Sequence, residues 1–124
     1  MPINASCWIV WDKENSGNFA ECELAWTSFK RPVKKYKYRW NGMIQEDMKN
    51  KEGRLHPTMK PSELMARILR DFSEEKSLVL DCFLGSGSTI FACKKMNREF
   101  IGIERDLGYC EIAQRRLAQE YLFT

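Results

Sequence analysis

Apolar and polar positions change rhythm partway along the 124-residue chain. The first third reads in twos. Cys7-Trp8-Ile9-Val10-Trp11 is a short unbroken apolar run, the pattern of a buried strand. From Cys22 to Ser28, Leu24 and Trp26 share one strand face. From Tyr36 to Asn41 the alternation is cleaner: Tyr36, Tyr38 and Trp40 point one way, Lys37 and Arg39 the other. Turn signals at 15–18 (Asn-Ser-Gly-Asn) and at Arg31-Pro32 separate these runs. Between Gly42 and Gly53 the chain is polar and charged without a clear period, which predicts a loop.

After that loop the period lengthens. Glu63 to Phe72 places Leu64, Met65, Ile68, Leu69 and Phe72 on one helical face, with Pro61 where a first turn tolerates it. Ser77 to Asp81 predicts a strand, Gly85-Ser86-Gly87-Ser88 a glycine-rich turn, Thr89 to Met96 a helix and Phe100 to Glu104 a second strand. Asp106 can cap a last helix with Ile112, Ala113, Leu117 and Tyr121 inward. Helix–strand–helix–strand–helix predicts an open, largely parallel α/β sheet.

The length suits one domain. With 44% hydrophobic and 30% charged residues the chain is an ordinary globular mixture, and five apolar residues in a row cannot span a membrane. The N-terminus has no basic start or long apolar stretch, so no secretory signal is expected and a cytoplasmic location is. The cysteines at 7, 22, 82, 93 and 110 contain no C-x-x-C pair, and His56 is a lone histidine. Reduced, mostly buried thiols and no metal are therefore expected, which argues against a zinc deaminase, a zinc finger or a disulfide scaffold.

The net charge of +3 is small, but its distribution is not even. Lys30, Arg31, Lys34, Lys35, Lys37 and Arg39 place six cations within ten residues, without an acid among them. Interleaved with aromatics, such a run suits a nucleic-acid groove. It also suits a solvated strand edge with gatekeeping lysines whose rings pack inward. The alternation favours inward packing for the rings, while phosphate contact is the favoured reading of the cations.

Chemistry concentrates in Leu80 to Thr89. A strand, a glycine turn and a helix start bring unpaired N–H groups close to a ligand. Glu104 follows Gly85 by nineteen residues, at the end of the next predicted strand, where a carboxylate can accept from ribose hydroxyls. A dinucleotide fingerprint needs a small residue where Ile90 stands, and a P-loop needs a Lys that is absent. Asp81 would repel a pyrophosphate and attract an ammonium, a polarity that fits S-adenosylmethionine. A purely structural glycine turn with a capping Asp is the other reading.

Three ordered motifs, His56-Pro57-Thr58-Met59-Lys60-Pro61, Asp81-Cys82-Phe83-Leu84-Gly85-Ser86-Gly87-Ser88 and Phe100-Ile101-Gly102-Ile103-Glu104 followed by Tyr109, resemble those of the DNA amino-methyltransferases. These enzymes modify adenine N6 or cytosine N4, and in the permuted class, of phage and bacterial type, the cofactor motifs come last. Trp8 to Lys13 and Glu23 to Trp26 also look like strands of that family. The resemblance implies a single Rossmann-like methyltransferase domain over 1–124, mostly parallel with an antiparallel aromatic-strand region. Its parts would be a β-rich portion (1–41), a loop (42–55) and a cofactor portion (56–124). Asp81, Phe83, Gly85 and Gly87 would line the methionine end of S-adenosylmethionine, with Ser86 and Ser88 adding loop hydrogen bonds. Glu104 would hold the ribose, and His56, Thr58 and Lys60 would close over the carboxylate. Cys82 stands where the family has Pro.

One family element has no counterpart. The catalytic tetrapeptide, Asp/Asn/Ser-Pro-Pro-aromatic, needs adjacent prolines, and the prolines here are at 2, 32, 57 and 61. No catalytic residue is therefore assigned. In the family the tetrapeptide ends a strand expected between those matching Ser77–Asp81 and Cys7–Trp11. Its loss would leave both strands with an unpaired edge. The expectation is a truncated or split enzyme acting on double-stranded DNA, adenine N6 before cytosine N4, completed by a separately encoded chain or by a second copy. An inactive cofactor- or DNA-binding module, or a gene remnant, is the alternative.

Overall fold

The structure, a computed structural model, describes residues 6–15, 20–41, 44–45 and 59–122. The chain divides into two compact units, Met1–Glu52 and Gly53–Thr124, with the division inside the expected 42–55 loop.

The first unit is built of β1 (Trp8–Asp12), β2 (Cys22–Trp26), β3 (Lys34–Lys37), β4 (Trp40–Asn41) and β5 (Ile44–Gln45). A three-stranded sheet has the order β2-β1-β3, and β4 and β5 form a separate antiparallel pair. β1 runs antiparallel to β2, with Val10 opposite Leu24, and parallel to β3, with Trp11 opposite Tyr36. Period-2 patterning decides the faces. Ile9, Trp11 and Tyr36 are buried on one, while Leu24 and Trp26 stay exposed on the other beside Lys35. The Trp11 indole N–H donates to the Tyr38 carbonyl at 2.8 Å. The Tyr38 N–H donates to the Asp12 carbonyl at 3.0 Å, which carries the β3 side past its last ladder residue.

Three expectations change here. The run Tyr36–Asn41 is broken into β3 and β4, although Tyr36, Tyr38 and Trp40 are all buried as the alternation requires. Within the expected loop, Ile44–Gln45 is a strand paired with Trp40–Asn41, and the loop's other residues lie outside the described residues. The strand at Cys7–Trp11 also does not border a gap. Both edges of β1 are taken, by β2 and β3, so any further strand must add to an outer strand of that sheet.

The second unit runs α1 (Ser62–Phe72), β6 (Leu78–Asp81), α2 (Ser88–Lys95), β7 (Glu99–Gly102) and α3 (Leu107–Leu122). β6 and β7 are parallel, with Val79 opposite Phe100 and Leu80 opposite Ile101. A core of Ala66, Leu69, Ala92 and Cys93 joins α1 to α2, and Met65, Val79, Met96 and Phe100 pack against it. Asp106 caps α3 as expected, its Oδ1 accepting from the Tyr109 N–H at 3.1 Å.

Arg98, between α2 and β7, is buried. Its guanidinium donates to the carbonyls of Leu69, Ser73 and Met96 and to the Ser73 hydroxyl, at 2.6 to 3.2 Å. It thus satisfies the C-terminal ends of α1 and α2 together, where a cation also suits both helix dipoles.

The thiols differ from expectation too. Cys7 and Cys93 are buried, Cys22 and Cys82 exposed and Cys110 intermediate, so they do not act as a set of small core residues; all five are free. Among the described residues no group of His, Cys, Asp and Glu is arranged to hold a metal, and no helix is long and apolar enough to cross a membrane.

Candidate functional site

The turn between β6 and α2 is shaped by its glycines. Gly85 and Gly87 have φ of 59° and 94°, in the left-handed region that side chains avoid. A Cβ on Gly87 would also lie 2.8 Å from that of Ala113 on α3. Glycine at 87 therefore serves the close approach of α3 as well as the turn. Gly87 is the N-cap of α2 and has no side chain to satisfy the first helical N–H groups.

Around this turn lies a cleft of about 640 Å³ within the second unit. Asp81, Phe83, Gly85, Ser86, Ser88 and Glu104 line it, together with Lys60. These are seven of the sequence-expected cofactor residues, drawn from the stretch just before α1, the end of β6, the turn, the start of α2 and the stretch just after β7. Gly87 sets the backbone without lining the cleft. His56 and Thr58 lie outside the described residues. Cys82, Met59 and Arg105 are also part of the wall, although the sequence assigned them no role there.

The turn's hydrogen bonds hold its shape. The Asp81 carboxylate accepts from the Phe83 N–H at 2.9 Å, and the Leu84 N–H donates to the Ile103 carbonyl at 3.0 Å. Glu104 is a brace across the cleft floor. Oε2 accepts from the Gly85 N–H at 2.7 Å and Oε1 from the Asp106 N–H at 2.9 Å.

Two features of the cleft lack a structural explanation. The Ser88 hydroxyl is buried on the cleft wall without a hydrogen-bond partner, and such groups in a folded interior normally have one. Phe83 is 91% exposed at the turn, although burying a ring of that size is strongly favourable. Both fit a ligand with polar and apolar parts that fills the cleft. Asp81 and Glu104 with Lys60 and Arg105 supply both signs of charge, as a zwitterionic nucleoside requires.

The basic run of the first unit sits on and around β3. Lys30, Arg31, Lys34, Lys35, Lys37 and Arg39 are all exposed. Lys35 lies 3.3 Å from the Asp12 carboxylate. The Asp12 carboxyl is held below its ordinary range, first by the Glu14 backbone N–H and then by Lys35. Arg31 lies over the Phe29 ring and Lys34 over the Tyr36 ring. Tyr36, Tyr38 and Trp40 pack inward and the cations face solvent, which is the division that the alternation indicated.

The DNA methylase family model N6_N4_Mtase matches residues 10–115. The type II methyltransferase M.HpaI of Haemophilus parainfluenzae is 44% identical over 72 residues, which are 58% of this chain and 23% of that protein. M2.DpnII of Streptococcus pneumoniae, also a type II methyltransferase, is 38% identical over 87 residues, 70% of this chain and 32% of that protein. The chain thus spans no more than about a third of these curated relatives. Among solved structures, the M1.HpyAVI–SAM complex superposes with a TM-score of 0.63 at 27% identity, over 90% of this chain and 60% of that one. The cytosine-N4-specific PvuII DNA methyltransferase shares the fold, with a TM-score of 0.65 at 14% identity, over 90% of this chain and 50% of that one.

Proposed function

The chain belongs to the N6/N4 DNA methylase family, and on that footing we propose that it is the S-adenosylmethionine-binding portion of a DNA amino-methyltransferase. The observation that carries this reading is the cleft at the glycine turn, with an unpartnered, buried Ser88 hydroxyl and two carboxylates in its wall. When bound, the cofactor supplies a sulfonium methyl for transfer to an exocyclic base amine, adenine N6 in preference to cytosine N4. Glu104 receives the ribose hydroxyls, and Asp81 faces the ammonium. Ser88 and the first N–H groups of α2 meet the carboxylate, to which Lys60, with His56 and Thr58, adds charge and hydrogen bonds. Phe83 covers the apolar part. These groups bind and orient, and orientation is the main demand of an in-line methyl transfer.

The amine itself needs an acceptor pair and a stacking ring, the task of the tetrapeptide, which this sequence does not contain. Transfer therefore requires a polypeptide segment that carries it. The uncovered apolar face of β6–β7 supports this reading: Leu78, Leu80 and Ile101 are 61, 60 and 50% exposed, and parallel strands are ordinarily covered on both faces. Lys30, Arg31, Lys34, Lys35, Lys37 and Arg39 hold the phosphates of double-stranded DNA.

Calorimetric titration with S-adenosylmethionine tests the cofactor reading. The wild-type chain binds, and Glu104→Ala, which removes both the brace and the ribose acceptor, binds at least about tenfold more weakly. Absence of binding by a folded wild-type chain overturns the reading. Methyl transfer to DNA by the purified chain alone overturns the requirement for a further segment.

A further inference from the structure

The turn is gripped from a side that none of the motifs touches. Arg116, in the middle of α3, is 9% exposed, and its Nη1 donates to the Ser86 carbonyl at 3.0 Å. Its guanidinium carbon sits 5.2 Å from the centre of the Phe91 ring on α2. The Ser86 carbonyl belongs to the peptide that enters α2, and the N–H of that same peptide, on Gly87, donates to the Leu84 carbonyl at 3.1 Å. One peptide plane is therefore fixed at both its oxygen and its hydrogen. Rotating it would break both bonds and re-aim the N-terminal amides of α2 and the Ser88 hydroxyl that lines the cleft. Glycine on the downstream side, with φ of 94°, gives the backbone unusual freedom to rotate there, so the plane needs such a restraint.

We propose that Arg116 is a positioning residue for the cofactor: by locking the Ser86–Gly87 peptide it presets the α2 N-terminus to receive the carboxylate of S-adenosylmethionine. The inference rests on the cofactor reading above for its ligand, but the lock itself is a property of the free protein. A buried guanidinium is costly unless its N–H groups are bonded, and one of them is directed at the turn's own carbonyl. Arg98 is a natural control. It too is buried and donates to carbonyls, but at the far ends of α1 and α2, away from the cleft.

The test uses the full chain and the variants R116M, R116K and R98M. Amide hydrogen exchange without ligand is read at Gly87 and, as a reference at the opposite end of α2, at Met96, whose N–H donates to the Ala92 carbonyl. In R116M, exchange at Gly87 rises about tenfold more than at Met96. In R98M the order reverses, because Arg98 donates to the Met96 carbonyl and not to the turn. Titration then compares S-adenosylmethionine with adenosine. R116M loses about tenfold in affinity for the former and little for the latter, which lacks the carboxylate, and R116K regains part of the loss. Should R116M melt below the working temperature, the same two readings on R116K decide. Parallel rises at Gly87 and Met96 in the Arg116 variants, or equal losses for the two ligands, overturn the proposal. A folded wild-type chain that binds neither ligand overturns the cofactor reading, and the exchange contrast still decides the lock.

Discussion

The two main sheets each bury one face and show the other, yet they show different things. In the first unit, the outer face of β2-β1-β3 mixes Leu24 and Trp26 with Lys35 and Lys37, and Lys35 pairs with Asp12. It is the mixed surface that a sheet can present to water. In the second unit, the outer face of β6–β7 carries Leu78, Leu80 and Ile101 with Glu99 as its polar member. Its strands read as near-continuous apolar runs, and such runs belong to parallel strands covered on both sides. The first sheet is patterned for solvent; the second is patterned for a cover.

The largest effect expected from this contrast comes from one substitution made on the two sides of β6–β7. Leu69 belongs to the α1–α2 core that roofs the covered face. Leu69→Ala should cost about 2–4 kcal/mol, the range for truncating a packed aliphatic side chain. Leu80 lies on the open face, and Leu80→Ala should cost under about 1 kcal/mol in the isolated chain, because the removed methyls were largely hydrated already. Urea denaturation of both variants reads the difference. Equal costs would mean that the open face is covered in solution, and the contrast between the sheets would disappear.

What the sequence revealed follows the same division. The alternation of Tyr36, Tyr38 and Trp40 foretold their burial because a strand has only two faces. The turn residues were legible because positive φ and close approach leave a short choice of residue types at 85 and 87. The edges of β1 were not legible: pairing order depends on non-local contacts, and the five apolar residues at 7–11 are compatible with any neighbour. Arg98 was hidden because an arginine between a turn and a strand reads as surface until two helix ends are placed beside it. Arg116 did leave a signal. It falls within the stripe of Ile112, Ala113 and Leu117, where a charge on an apolar face indicates a buried partner.

A smaller effect, on the covered side, depends on pH. Burial pushes the Cys93 thiol up to about 11, with Asp81 adding to the rise and Arg98 opposing it. In the unfolded chain the thiol ionises near 8.5. Between these values the unfolded state has released a proton that the folded state retains. Stability from this group is therefore complete below about 8.5 and declines as pH rises towards about 11. Thermal melts of wild type and Cys93→Ala from pH 7 to 10.5 should converge as pH rises, since the variant lacks this loss. A constant gap would place Cys93 in contact with water and weaken the case for a dry interface between α2 and the sheet.

The smallest expected change in folding stability accompanies the sharpest functional one. Leu80→Thr combined with Ile101→Thr keeps β-branched or strand-compatible shape while making the open face polar. In the isolated chain the pair should shift stability by no more than about 0.5 kcal/mol, as surface changes do, and should raise solubility by removing an exposed apolar patch. Leu24→Thr in the first unit should be as mild in stability. The difference lies in reconstitution with a polypeptide carrying the tetrapeptide. If β6–β7 is the face awaiting a cover, the threonine pair abolishes restored methyl transfer while leaving S-adenosylmethionine affinity intact, because neither residue lines the cleft; Leu24→Thr preserves transfer. If the threonine pair reconstitutes as well as wild type, the apolar pattern of β6 and β7 is not a docking requirement, and the segment that supplies the tetrapeptide must join the chain elsewhere.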